Sequence, residues 1–490
     1  MKLYQQLLAF LLIIMFSSCK KFLQEPNKLQ ADIQTVDQLE ALINNAPLYY
    51  QEANLTASFS TDDTEISKEM ITAYPSSVSL NNLLYYTWAV GNIASLGSDD
   101  LWSGEYKKIF NANVVLANID RVAGTDLQKS KIKADAYFIR AMSNWTLVNY
   151  YCLPYSNANF QSPGIPLKTS TIYTESLKRA TLKETYDAIL SDVEAAKTIL
   201  PEGDVISTLR WRVSRKAIDA FLSRYYLFTE DYDRVVSSAD EALKSANAKL
   251  TDLNTVVAGI SVTYANPSAT LNYSSLNDWG PNLFLYWNEQ YYTRYTSNPS
   301  QNFIPSSSLL SLYEKTNDLR YSLFMIPNGG RRFNVINPAQ FRYTYFNDGR
   351  FLISGPGVAE VLLNKAEALA RKGSGTDAMG SINLLRQKRM KNYVPMIASS
   401  NIDALTKVLQ ERRRELPFAF RWLDIRRFSV NQDQTDDVSI TREFYEVTSA
   451  GIDLKKPMTY TLPAKSLRYA VPINGLDIAN SQGQLSQNSY

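Results

Sequence analysis

The feature that most restricts the possible folds of this chain is a set of segments whose apolar residues recur every 3.6 residues, the period of an α-helix. In the clearest segment the apolar residues share one helical face, namely Leu182, Tyr186, Ile189, Val193 and Ala196. Thr181 and Glu184 have the spacing of a capping box, and Pro201 follows where a helix should stop. The pattern therefore predicts a helix that begins after Thr181 and ends near Leu200.

Comparable patterns occur along much of the chain, often as neighbours joined by short turns. They span about 105–122, 130–151, 214–229, 232–245, 358–372, 376–391 and 403–416. The pair 214–229 and 232–245, and the pair 358–372 and 376–391, have the length and turn of a tetratricopeptide unit without its full consensus. Ordinary helical hairpins are the alternative. Either interpretation predicts a mainly α fold in which packed helix pairs form a curved scaffold.

Two long stretches interrupt this helical pattern. Residues 58–102 and 253–352 lose the 3.6-residue period and are rich in polar and aromatic residues. Long irregular segments inside a large domain are uncommon and often functional. We therefore expect the helical hairpins, about 105–245 and 358–416, to support two irregular insertions on the ligand side, with a few short strands.

The charge and residue composition exclude several classes of function. Lysine and arginine number 51 against 48 acidic residues, and the two signs are interspersed, so nothing favours binding to nucleic acid. The chain contains no histidine, which removes the commonest general base and metal ligand and makes a catalytic triad of the histidine type impossible. Tyrosines, 31 of them, outnumber the 20 phenylalanines, which weakly favours binding surfaces where a ring and a hydroxyl are both used.

The N-terminus has the order of a secretory signal. Lys2 precedes an apolar run from Leu7 to Phe16, which is too short to span a membrane as a helix, and two serines then lead to Cys19. A cysteine at the start of the mature chain resembles the bacterial lipobox, so we predict a signal peptide over residues 1–18 and a lipid on Cys19. The alternative is an ordinary cysteine after a simple signal. The second cysteine, Cys152, is expected to be a buried, inert thiol.

Several motifs, taken together, resemble one known family. The predicted helix 403–416 runs into Glu411–Phe418 and then Arg421–Arg427, which is similar to the signature of SusD/RagB-like outer-membrane nutrient-binding lipoproteins. Further similarities lie at Cys19–Leu23, at Trp102–Asn113, at Arg140–Trp145, at Thr181–Asp187, at Asn364–Arg371 and at Val471–Asn474. Ala419-Phe420 and Ser489 depart from the family pattern, which suggests a subfamily with the same fold.

The resemblance implies a SusD-like fold over residues 19–490 as a single domain. It also implies a location at the outer membrane, anchored by lipid and facing the cell exterior, where the protein binds a nutrient and delivers it to a SusC-like TonB-dependent transporter. The ligand would be a glycan, or a peptide as in some members. No cofactor is expected. A calcium ion held by loop carboxylates and carbonyls is left open.

The signature itself is predicted to be structural, because its acids and arginines can form a lattice of paired charges. We expect Arg421 and Asp424 to pair with one another and Trp422 to pack in the core. The residues assigned to this structural role are Glu411, Arg412, Arg413, Glu415, Arg421, Trp422 and Asp424.

The irregular stretches supply the candidate ligand contacts. A sugar ring has apolar C–H faces and a rim of hydroxyls, so its site needs exposed aromatic rings beside hydrogen-bonding groups. The first candidate group, close to the loop that usually contacts ligand in the family, is Tyr85, Tyr86, Trp88 and Asn92. The second group is Trp279, Trp287, Tyr291, Tyr292 and Arg294, with Asp62 and Asp63 as further polar partners. The alternative is that most of these rings are buried in the core.

Two other functions remain as alternatives to small-ligand binding. A glycoside hydrolase would need a carboxylate pair, for which the candidates are Asp62, Asp63, Glu65, Asp99 and Asp100. A surface scaffold that binds only proteins would use the concave face of its helical repeats. Binding of a small ligand in the absence of any transporter distinguishes the first hypothesis from the scaffold.

Overall fold

The structure of the chain, a computed structural model, describes residues 33–53, 59–96, 100–172, 174–256, 258–263, 266–273, 287–297, 303–326, 340–343 and 351–490. Cys19 and Trp279 lie outside these ranges. No helix within them is long and apolar enough to cross a membrane.

Helices dominate the N-terminal half. In chain order they are α1 Val36–Ile43, α2 Ala46–Tyr50, α3 Lys68–Ala73, α4 Leu80–Tyr86, α5 Val90–Ala94, α6 Asp100–Asn118, α7 Asp126–Tyr151, α8 Leu182–Ile199, α9 Arg215–Phe228 and α10 Tyr232–Leu243. The C-terminal half adds α11 Ser307–Leu310, α12 Leu319–Phe324, α13 Val358–Arg371, α14 Gly375–Arg386, α15 Asn401–Glu415, α16 Ala419–Phe428 and α17 Gly475–Asn480. The predicted mainly α fold is confirmed.

The strands are short and form small sheets. They are β1 Gln51–Glu52, β2 Ala258–Thr263, β3 Asn266–Tyr273, β4 Tyr295–Ser297, β5 Met325–Ile326, β6 Arg342–Tyr343, β7 Phe351–Ile353, β8 Ile440–Thr448 and β9 Gly451–Leu462. Strand β4 pairs in parallel with β1 and antiparallel with β7. The other pairs, β2–β3, β5–β6 and β8–β9, are antiparallel.

The predicted helical hairpins form the scaffold. Helix α9 packs on α10 and α13 on α14, and α13 also packs on α10 and α15, which joins the two halves of the chain. The capping box of α8 is present as predicted, since Thr181 accepts from the N–H of Glu184 while the Glu184 carboxylate accepts from the N–H of Thr181. Aromatic rings fill the space between α7, α8 and α9, where Trp145 contacts Tyr186, Phe221, Tyr225 and Phe228.

The first irregular stretch holds more helix than its sequence predicts. It contains α3, α4 and α5, none longer than seven residues. Ser67 and Ser79 cap α3 and α4 by accepting N–H groups of the first turn. Such short helices show no apolar period over a window of 11 residues or more, so hydrophobic periodicity cannot reveal them.

Candidate functional site

The end of α15, which carries the first part of the signature, lies in a buried network of opposite charges. Glu411 is fully buried, and its carboxylate lies within 3.0 Å of three guanidinium groups, those of Arg320, Arg386 and Arg414. Glu415, one turn later, pairs with Arg320 and Arg389. The network joins α15 to α14 and to the start of α12. The acids and arginines of this part of the signature thus attach α15 to its neighbours, and their structural role stays a prediction.

A second network holds α16 against the scaffold. Asp424 accepts from Arg412 at 2.8 Å and pairs with Arg427 at 2.9 Å. Arg427 also forms two hydrogen bonds with Glu367 of α13, at 2.6 and 2.7 Å. Burial raises the pKa of Glu367, but Arg427 and Arg371 outweigh this effect and lower the pKa far below its usual value. Trp422 is buried, and its ring packs against that of Tyr469.

The structure corrects two predictions about Asp62, Asp63 and Arg421. Arg421 does not pair with Asp424, because its guanidinium donates two bonds of 2.8 Å to the carboxylate of Asp62. Asp63 is buried and accepts from Arg413 at 2.6 Å. Both carboxylates are thus occupied by arginines of the signature, which leaves neither as a free polar partner for a ligand. Their role in this structure is to attach the first irregular stretch to α15 and α16.

Asp63 also stabilises the sharp turn between the two signature helices. Phe418 has φ 62° and ψ −100°, a backbone conformation that L-residues rarely adopt. Its N–H donates to Asp63 at 2.9 Å, and its ring is buried against Phe303 and Tyr343. A strained residue of this kind persists only when its surroundings hold it. The aspartate therefore contributes to the geometry by which α16 leaves α15.

Arg442 of β8 also binds the first irregular stretch. Its guanidinium group lies 4.0 Å from the ring centroid of Tyr86 and 4.5 Å from that of Trp88. It donates to the backbone carbonyls of Phe59, Thr61 and Tyr86. Burial lowers the pKa of Arg442 to about 10, so the group stays charged at neutral pH. The sequence alone did not point to this residue, because its partners lie far away along the chain.

The contact between Asp62 and Arg421 predicts a specific pH dependence. Burial raises the pKa of Asp62, but Arg421 and Arg413 outweigh it and lower the pKa from 3.8 to about 2. A lowered pKa stabilises the fold above the unfolded-state pKa, by about 2 kcal/mol here, and this contribution disappears as the pH falls through the folded-state pKa. We therefore expect Asp62→Asn to be about 2 kcal/mol less stable than the wild type at pH 7 in urea denaturation, and to approach it near pH 2.

The matched control for this experiment is Asp120→Asn. Asp120 pairs with Lys133 at 2.9 Å, but its side chain is 75 % exposed, so the substitution should change stability by less than about 1 kcal/mol at either pH. A difference between Asp62→Asn and the wild type that stays constant from pH 7 to pH 2 would contradict the ionic role of Asp62.

The first group of candidate ligand residues divides into buried and half-buried members. Tyr86 and Trp88 are buried, and each has a structural hydrogen bond, from the Ile66 N–H to the Tyr86 hydroxyl and from the Trp88 indole N–H to Ser60 O. Trp88 has a positive φ of 51°, which turns the chain after α4. These two rings pack in the core, so their burial does not favour contact with a ligand. Tyr85 and Asn92 are half-buried and remain candidates.

The described members of the second group lie in the core. Trp287, Tyr291 and Tyr292 are at most 2 % exposed, and the Tyr292 ring packs edge-on against Phe138. Arg294 is buried and pairs with Glu52 at 2.6 Å and Glu105 at 2.8 Å. Their burial corrects the expectation of an accessible ring platform at these positions, and Trp279 stays a prediction. The physical reason is that large aromatic rings are ordinarily buried for packing.

The accessible part of the first stretch adjoins the β8–β9 hairpin. Asn92 accepts from the Ser449 N–H at 2.9 Å, at the turn of the hairpin, and Thr72 forms a hydrogen bond with the Tyr445 hydroxyl. Tyr85 lies on α4, which packs on β8, and we use the name Tyr85 surface for Thr72, Tyr85, Asn92, Tyr445 and Ser449. It offers two half-buried tyrosine rings and the Asn92 amide on a frame held by Arg442 and the signature arginines. Such a frame suits recognition of a polar ligand with ring-shaped units.

Metal binding finds no support within the described ranges. They contain no group of three or more histidine, cysteine, aspartate or glutamate side chains arranged to hold an ion. Cys152 is buried at the end of α7, where burial raises the pKa of its thiol, as expected for an inert cysteine.

Comparison with known proteins defines the class of protein. The fold is that of the SusD superfamily. A SusD superfamily protein of Bacteroides thetaiotaomicron superposes with a TM-score of 0.65, covering 93% of this chain and 100% of that one at 19% identity. A laminarin-binding SusD-like protein gives a TM-score of 0.58 at 19% identity, covering 93% of this chain and 99% of that one.

Sequence comparison then places the chain in a family. Residues 21–227 match a SusD-like family described as starch-binding and associating with the outer membrane, and residues 358–490 match the SusD family. The SusD-like proteins P2 and P38 of Formosa agariphila are 24% and 23% identical, over 70% and 66% of this chain and 75% and 71% of their own lengths. The chain belongs to the SusD/RagB-like family.

Proposed function

We propose that this protein captures a glycan at the outer surface of the outer membrane and delivers it to a SusC-like TonB-dependent transporter. The observation that carries the proposal is the match of residues 21–227 to a starch-binding family associated with the outer membrane. That range includes Asp62, Tyr85 and Asn92, the stretch that the signature arginines and Arg442 attach to the scaffold.

The Tyr85 surface is the proposed contact with the glycan. A sugar can stack its C–H face on a tyrosine ring while amide and hydroxyl groups bond its rim. Rigid attachment matters because a contact that is already in place loses little conformational entropy when the ligand binds. The buried arginine pairs supply this rigidity without touching the ligand.

Substitution of the Tyr85 surface tests the proposed site. We expect Tyr85→Ala and Asn92→Ala each to weaken binding of a recognised oligosaccharide by about tenfold in calorimetric titration, since loss of a stacking or hydrogen-bonding contact costs about 1 to 2 kcal/mol. The matched controls are Tyr393→Ala, at another half-buried tyrosine, and Asn254→Ala, at an exposed asparagine. Equal affinities for the wild type and both site variants would remove the Tyr85 surface as the site.

The membrane tether is proposed to be a lipid on Cys19. Several acyl chains on one cysteine would hold the protein at the membrane, where tethering keeps the binding site close to a membrane transporter. We expect Cys19→Ala to shift the protein from the membrane fraction to the soluble fraction, whereas Cys152→Ala should leave it at the membrane, because Cys152 is buried in the fold. Retention of Cys19→Ala in the membrane fraction after a carbonate wash would contradict the tether.

We further propose that the protein binds its glycan without hydrolysing it. A glycoside hydrolase needs a general acid whose pKa is raised, but Arg421 and Arg413 lower the pKa of Asp62. Burial raises the pKa of Asp63, but its carboxyl is fully buried and is engaged by Arg413 and the Phe418 N–H. The Glu65 carboxylate is engaged by the N–H and hydroxyl of Ser307. Asp99 lies outside the described residues. Incubation with the bound oligosaccharide should release no shorter product.

A further inference from the structure

A cleft on the scaffold side of the molecule has no role in the function proposed so far. It encloses about 530 Å³ between the loop that follows α7, the α9–α10 turn, the end of α16 and the loop that follows β9. We call it the Tyr155 cleft and define it by Tyr155, Ser156, Asn157, Glu230, Gln432 and Lys465. None of its lining residues belongs to the first irregular stretch, so it is separate from the Tyr85 surface.

The cleft carries hydrogen-bonding groups that the fold leaves unused. Among the described residues, the Glu230 carboxylate and the Lys465 ammonium group form no ion pair, in contrast to the acids and arginines of the signature. The Ser156 hydroxyl is shielded from solvent and has no hydrogen-bond partner in the part of the chain that the structure describes. A polar atom in this state costs free energy unless a ligand or water satisfies it.

Burial in the cleft also affects the ionisation of the Glu230 side chain. The carboxyl is half-buried, and burial raises its pKa because the charged form loses hydration. Its backbone is strained as well, with φ 60° at a residue that is not glycine. Lys465, on the loop after β9, has φ 61°. Two residues with positive φ thus line one cleft, and neither of their charged groups forms an ion pair within the described part of the chain.

The chemistry of the walls selects a class of ligand. Phe228, Leu467 and Tyr155 give apolar contacts, while Asn157 and Gln432 offer amides that both donate and accept. A neutral hydroxyl can donate to Glu230 and accept from Lys465, so the same kind of group suits both charged side chains. A sugar has this combination of apolar faces and neutral hydroxyls.

The size and secondary structure of the cleft agree with this choice. Its volume lies within the roughly 300 to 1,000 Å³ typical of small-molecule sites. None of its lining residues belongs to a strand, so a peptide could not bind there by adding a strand to a sheet. The cleft therefore suits a short segment of a neutral glycan better than an extended peptide.

We propose that the Tyr155 cleft is a second glycan-binding site, separate from the Tyr85 surface. This inference rests on the proposed function in that both sites take the same class of ligand. Two sites on one tethered chain would hold a long glycan more tightly than either site alone, since the second contact forms at a high effective concentration.

The test uses calorimetric titration of the whole chain with neutral starch- and laminarin-derived oligosaccharides. The cleft variants are Glu230→Gln and Lys465→Met, which remove one charge each but no hydrogen bond or ion pair of the described residues. We expect two sites in the wild type, and in each cleft variant about tenfold weaker binding at one of them. The control Glu241→Gln, at an exposed acid, should behave as the wild type. Combination with Tyr85→Ala should weaken both sites.

The outcomes separate this inference from the proposed function. A single site that Tyr85→Ala weakens and both cleft variants leave unchanged would overturn the second site and keep the proposed function. Absence of binding to any glycan would overturn both proposals. Binding of a peptide that Glu230→Gln abolishes, without glycan binding, would also overturn the assignment of ligand class.

Discussion

Glu411→Gln is expected to lower the free energy of unfolding by about 3 to 5 kcal/mol, the usual cost of removing one partner from a buried charge network. The substitution preserves the size of the side chain. It removes the buried negative charge that the guanidinium groups of Arg320, Arg386 and Arg414 share. These arginines keep other partners, including Asp318 and Glu314, so the chain should fold and then denature at lower urea concentration. The shift of the urea midpoint, followed by circular dichroism, measures the effect.

Glu202→Gln is the matched control for Glu411→Gln. Glu202 pairs with Arg215 at 3.1 Å, but its side chain is 82 % exposed, and an exposed pair contributes less than about 1 kcal/mol. Both substitutions remove one negative charge, so a difference between them reports burial and not net charge. Equal urea midpoints for the two variants would show that the signature network does not stabilise the fold.

Arg442→Met is expected to loosen the first irregular stretch while the helical scaffold stays folded. The variant keeps an apolar chain between the rings of Tyr86 and Trp88 but leaves buried backbone carbonyls without a donor. Each buried carbonyl without a partner costs about 1 to 3 kcal/mol, which gives a local loss on the order of 3 kcal/mol. Hydrogen exchange of residues 59–96 should therefore become at least tenfold faster, and glycan binding at the Tyr85 surface should weaken with it.

Two further variants test whether the guanidinium group causes this effect and whether the effect is local. Arg442→Lys keeps the charge, but an ammonium group lacks the planar fork with which a guanidinium group binds several carbonyls. The exchange rates of this variant should therefore lie between those of the wild type and of Arg442→Met. Arg234→Met, at an exposed arginine, should leave the exchange of residues 59–96 unchanged. Faster exchange along α9 and α13 to the same extent would mean that Arg442 stabilises the whole fold and not this stretch.

The helical scaffold could be predicted from the sequence because its determinants are local. The capping box of Thr181 and Glu184 involves residues three apart, and the apolar face of α8 repeats within one segment. The bounds of α9 and α10 agree with their predicted ranges within two residues. Helix α6 instead begins at Asp100 and not near Glu105, and α14 ends at Arg386 and not at Lys391, since helix ends depend on neighbouring segments.

The partners of the signature charges could not be predicted because they are distant in the chain. Arg421 and Asp424 are close in sequence, which made them the expected pair, yet Arg421 bonds Asp62 across 359 positions. Arg442 likewise bonds carbonyls of residues 59, 61 and 86. A charge pattern shows that pairing will occur, but the choice of partner depends on the tertiary fold.

The candidate site was predicted only in part for a related reason. Residue type identified Tyr85, Tyr86 and Trp88 together, although only Tyr85 is half-exposed. A ring serves equally as a packing group or as a stacking platform, and the path of the backbone decides between them. The unpaired charges of Glu230 and Lys465 were invisible in the sequence, because an unpaired state is a property of the surroundings.

Equilibrium binding of the purified chain to matched panels of neutral oligosaccharides and peptides, in the absence of any transporter, tests the proposed function directly. We expect saturable binding to at least one class of oligosaccharide, weakened by Tyr85→Ala, and no binding to the peptides. Binding to peptides alone, or to neither panel, would contradict the central claim that this SusD/RagB-like protein is a glycan-binding protein.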